Sequence, residues 1–226
     1  MQLLPGSGEP FERLVALLAE GRYRAAGIDA PFALPERHMP PGGHAALLAD
    51  LAAMPPADDR PFPRGAALME YARRRAALAS PKPARETERI HGATRSTLWN
   101  GARPGAPFAA ACLALLARAG RPVWPWKDAQ GMLVEVFPAA QLRAWGLPST
   151  NYASPEDRKV RAQIVAYLEE TRRLFIAPAE RKQMLASADA LDAVIAAFGA
   201  RAAANRTLLH AKPDNWRIEG AIAVHA

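Results

Sequence analysis

From Phe11 to Glu20 the chain places Leu14, Leu17 and Leu18 at helical spacing, and Gly21 follows, which predicts a short helix with a glycine stop. Ala25 to Ala30 is small and apolar and is ended by Pro31, which predicts a strand. Residues 36–64 are rich in proline and glycine around a helical patch, His44 to Ala53, and are expected to form an irregular, exposed flap beside a site. Gly65 to Ala79 reads as a helix. Phe108 to Ala119 is hydrophobic nearly all round, so a buried helix is expected there, stopped by Gly120 and Pro122. Gly131 to Pro138 reads as a strand with Leu133, Glu135 and Phe137 on one face and Val134 and Val136 on the other. Asp157 to Phe175 predicts an amphipathic helix with Ile164, Leu168 and Phe175 in its apolar stripe. Ala186 to Ala204 predicts another, opened by Ser187 as N-cap. Trp216 to Val224 alternates like a last short strand.

Strands separated by helices predict an α/β fold, and no internal repeat or linker divides the 226 residues, so a single domain is expected. Half the residues are hydrophobic, enough for a packed core. The formal charge of +7 and pI near 10.1 favour an anionic partner such as nucleic acid, although the basic residues are scattered. Arginine outnumbers lysine 24 to 5, which reads first as the bias of a GC-rich source. The single cysteine, Cys112, excludes an internal disulfide and a cysteine-rich zinc site, and its apolar helical setting predicts a buried thiol. No secretory leader and no apolar run of membrane-spanning length is visible, so a cytoplasmic location without membrane association is expected. Neither a dinucleotide-binding G-x-G-x-x-G nor a P-loop is present.

The chemistry that stands out is carboxylic. Asp29 lies in an apolar strand, where a carboxylate is costly unless something pairs with it. Glu135 lies near the C-terminal end of another strand, the end where open α/β sheets bind ligands. Asp189 and Asp192 are three apart on a helix and share a side. Asp189 is also explained by the helix dipole, whereas Asp192 lies beyond its reach. Such a set would suit one or two hard divalent cations, Mg2+ or Mn2+, with arginines holding substrate phosphates. Glu88, Arg85, Arg89 and His91 form a charged stretch of secondary candidates. His38 and His44 have no third ligand nearby for zinc, and Trp124 and Trp126 either stack on bases or pack on a core edge.

Five stretches, Gly27–Pro35, Arg85–Glu88, Val134–Ala140, Asp189–Ala197 and Glu219–Val224, together resemble the family called domain of unknown function number 429, a group of predicted RNase-H-like nucleases. The resemblance covers 24–226 and implies an RNase-H-like mixed sheet flanked by helices. It also implies a divalent-metal nuclease site built from Asp29, Glu135, Asp189 and Asp192, with Asp29, Glu135 and Asp192 catalytic. Family members begin on a strand carrying Gly-x-Asp. Here 24 residues precede the Ala25 strand and read as loop and helix, so the N-terminal strand, and one metal ligand with it, is expected to be missing. Two functions follow: a metal-dependent nuclease, or a catalytically inactive RNase-H-like module that binds nucleic acid or protein.

Overall fold

Helices take up most of the chain, and three short strands sit between them. The computed structural model describes residues 9–78, 83–93, 97–98, 105–210 and 212–226. In chain order its elements are α1 (Pro10–Glu20), β1 (Ala25–Ile28), α2 (Gly43–Ala53), α3 (Gly65–Arg73), α4 (Glu86–Ile90), α5 (Ala106–Ala119), β2 (Val123–Trp124) and β3 (Met132–Glu135). There follow α6 (Pro138–Ala144), α7 (Arg158–Glu170), α8 (Pro178–Ala186), α9 (Ala188–Asn205) and α10 (Trp216–Glu219). The helix stops act as their residue types dictate: Gly21 and Gly120 take left-handed φ values of 63° and 60°. Ser187 Oγ accepts the Ala190 N–H at the start of α9.

β3 lies between β1 and β2, and both pairings are parallel. A central parallel strand is covered on both faces, which explains its unbroken apolar run Met132-Leu-Val134. Leu133 faces a core shared with α1, α2, α3 and α5, and Val134 and Val136 face one shared with α9. The result is three layers, with the sheet in the middle. The approach of α9 depends on Gly27, where a Cβ would lie 2.4 Å from the Ala196 carbonyl oxygen.

The α/β class is as expected. The sheet, expected to be mixed, is parallel throughout its described strands: the chain runs from β1 through α2 to α5 and β2 before reaching β3, and a loop over residues 125–131 joins β2 to β3. The last strand expected at Trp216–Val224 is instead α10 followed by an extended tail. The tail meets the end of β3 through one parallel bridge, Ala223 to Val136, and pairs with the segment after α9 through an antiparallel one, His225 to Leu208. Residues 36–64 are only partly irregular and exposed: His38, Leu47 and Leu51 are buried and α2 packs on α5, whereas most of residues 52–60 are exposed. Phe175 leaves α7 altogether and is 89% exposed. The helix expected over Gly65–Ala79 stops at Arg73, and most of the stretch from Thr94 to Trp99 lies outside the described residues. So do the first eight residues, and among the described ones the sheet begins at Ala25.

Candidate functional site at the strand ends

Ile28 stands opposite Glu135 in the β1–β3 register, so Asp29 and Glu135 leave the sheet at the same C-terminal edge. That is where ligands bind in open α/β sheets. Both line a cavity of about 380 Å³, together with Arg85, Glu88, Phe108 and Phe137 and the rim residues Arg143, Ser149 and Thr150. Asp29 is exposed at the mouth, one residue beyond the strand.

Glu135 is 3% exposed and faces inward, as the alternation along β3 requires. Arg85 meets both of its oxygens. Nη2 donates to Oε1, and Nη1 donates to Oε2 at 2.8 Å, while Oε2 also accepts the Phe32 N–H at 3.0 Å. The same guanidinium donates through Nε to Glu88 Oε1 at 3.1 Å and through Nη1 to the Glu219 carbonyl. Glu88 in turn accepts the Arg85 N–H and both the N–H and hydroxyl of Thr97. Glu219, which sequence reasoning left without a role, is equally buried. Its carboxylate accepts the N–H groups of Glu36 and Glu86 at 2.7 and 2.5 Å. Burial opposes the charge on Arg85, but Glu135 and Glu88 more than offset it, and the guanidinium stays charged. Burial raises the Glu135 carboxyl above the usual range, against the pull of Arg85 and the Phe32 N–H.

The helical aspartates stand apart from this cluster and do not line the cavity. Asp189 is exposed in the first turn of α9. Asp192 is half-buried, and its Oδ1 accepts the Tyr152 hydroxyl at 2.8 Å. Its carboxyl is pushed up to about 6, chiefly by burial, with the Tyr152 hydrogen bond acting against the rise and the charge of Asp189 adding to it. The Tyr152 hydroxyl is raised as well, by burial and by the charges of Asp192 and, more weakly, Asp29. The Tyr152–Asp192 hydrogen bond is a link that no spacing in the sequence signals.

These placements decide the metal question for the expected set. Asp29, Glu135, Asp189 and Asp192 do not converge, and among the described residues no three His, Cys, Asp or Glu side chains form a group able to hold a metal ion. Glu135 has spent its oxygens on Arg85. A Mg2+ or Mn2+ site on all four carboxylates does not fit this structure.

The secondary candidates divide. Arg85 and Glu88 are buried partners of Glu135. Arg89 is exposed, pairs with Glu86 at 2.8 Å and forms no ridge with Arg85. His91 sits beside His210, ring centroids 5.7 Å apart. Burial, then the charges of His210 and Arg143, pushes it down to about 4, and its carbonyl accepts from Arg143. Trp126 stacks on His44 at 3.6 Å, and His44 bonds the Phe32 carbonyl, so both serve packing. Cys112 is buried with its thiol pushed up, as expected of an inert core residue.

An α/β layer with a parallel sheet and, at its strand ends, a cavity lined by charged and apolar side chains defines the class of this protein. Within that class the chain belongs to the family described as "Protein of unknown function (DUF429)", whose model matches residues 9–215. No curated protein and no solved structure matches it. Among the described residues no single helix is long and apolar enough to cross a membrane.

Proposed function

We propose that this chain is a cytoplasmic RNase-H-like module that binds nucleic acid and does not cleave it by the two-metal route. The observation that carries this is the Arg85 clamp on Glu135. Ligating a metal through Glu135 would strip a buried guanidinium of its main partner, and breaking a buried pair in this way costs about 3–5 kcal/mol. The anionic partner is supported by the formal charge of +7. A second reading, a Mg2+- or Mn2+-dependent nuclease, is supported by Asp29 at the strand ends and by the raised carboxyl of Asp192, although the two belong to no common metal-binding group among the described residues.

A labelled panel of single- and double-stranded DNA and RNA, incubated with Mg2+ or Mn2+, separates the two. The expected result is retention of every substrate intact, with binding that weakens as salt rises. Divalent-dependent cleavage that disappears in Asp29→Asn and Asp192→Asn would replace the first reading by the second.

A further inference from the structure

We infer that the cavity at the ends of β1 and β3 takes a single unstacked nucleotide of a nucleic-acid strand, base inward and phosphate at the rim. The inference rests on the nucleic-acid reading above. The cavity measures about 380 Å³, near the lower end of the roughly 300–1,000 Å³ of small-ligand sites, room for one nucleotide rather than a folded pair. Phe108 provides the stacking surface. It stands in the first turn of α5, where Ala106, Ala109, Ala110 and Leu113 are buried, yet its own ring is 63% exposed and lines the cavity. An aromatic face of that kind binds any base by stacking.

Charge sets the direction. Among the described residues the inner wall carries Glu135 and Glu88, both bonded to the buried guanidinium of Arg85. A phosphodiester is repelled from such a wall, while a neutral base is not. Arg143, exposed on the rim, is a cation of the outer side. One of its donors holds the His91 carbonyl, and its guanidinium lies 5.4 Å from the Phe137 ring, so it is braced rather than free to wander. The fork of an arginine suits a phosphate. Asp29 is then placed beside the edge of the base, where a carboxylate accepts from an exocyclic amine. Cytosine and adenine present such a donor, and thymine does not.

The test is fluorescence anisotropy with labelled oligodeoxycytidylate, oligothymidylate and a duplex, on the full chain and on Phe108→Ala and Asp29→Asn. Both substitutions are at exposed positions. Single strands are expected to bind more tightly than the duplex, and Phe108→Ala to weaken both single strands about tenfold. Oligodeoxycytidylate is expected to bind about fivefold better than oligothymidylate, a preference that Asp29→Asn, which keeps an acceptor oxygen and loses the charge, reduces. Binding that is the same in both variants as in the wild type overturns the pocket while leaving nucleic-acid binding intact. Failure of every oligonucleotide at low salt overturns the function proposed above. Ligand-observed NMR with cytidine monophosphate then decides the cavity by itself: transfer seen with the wild type and lost in Phe108→Ala supports it, and no transfer overturns it.

Discussion

Glu135 can sit at 3% exposure only because Arg85 reaches both of its oxygens, since a lone buried carboxylate costs several kcal/mol. Arg85→Met would leave Glu135 and Glu88 facing each other in the core without a counterion. The expected loss is about 3–5 kcal/mol in urea denaturation, and the double variant Arg85→Met, Glu135→Leu should recover part of it. A single variant as stable as the wild type would refute the clamp. Asp192 has the opposite character, a carboxyl raised from 3.8 to about 6 in the folded chain. A raised value favours the protonated folded form, so its stabilisation is complete below pH 3.8 and is lost as pH climbs through 6. Asp192→Asn cannot lose it. Relative to wild type, the Asn variant should gain about 1–2 kcal/mol between pH 4 and 7, after discounting for partial exposure. A difference that stays constant across that range would show that Asp192 does not titrate there. Sequence periodicity puts Glu135 on the Leu133 face of its strand, as a functional or a paired acid. It gave no means of knowing that the partner was an arginine fifty residues upstream, because an ion pair of that separation leaves no local spacing to read.

At the scale of elements, the joint between α9 and β1 rests on glycine. A Cβ on Gly27 would meet the Ala196 carbonyl at 2.4 Å, and one on Gly199 would lie 2.7 Å from Val136 Cγ1 and 2.8 Å from the Ala223 carbonyl. The obstacles at Gly27 are backbone atoms, which cannot swing aside as a flexible side chain can. Gly27→Ala should therefore push the helix off the sheet and cost about 3 kcal/mol, seen as a lower thermal midpoint. An unchanged midpoint would mean that the layers have slack. Most helices are legible from spacing and stops, since α1 and α5 are apolar at helical spacing and end on glycine, and α9 opens on Ser187. Two errors share a cause. Trp216–Val224 was read by alternation over a segment too short to tell a helical turn from a strand. Phe175 was assigned to a stripe that α7 does not extend far enough to include.

For the whole molecule, the relevant quantity is the balance between a basic surface and an acidic interior edge. With a formal charge of +7, binding to nucleic acid should lose affinity linearly in log salt. A binding isotherm indifferent to salt between 50 and 200 mM, concentrations at which such losses are about tenfold or more, would remove the electrostatic basis for the proposed function. The family, the α/β class and the burial of Cys112 and Glu135 were all determined by the sequence, because each depends on residue type, local period or motif order. Tertiary structure alone decided that the sheet is parallel, that Arg85 is the partner of Glu135 and Glu88, and that Tyr152 holds Asp192. These are meetings between residues far apart in the chain. Which charge neutralises which is settled by packing geometry, and the order of residues does not encode it locally.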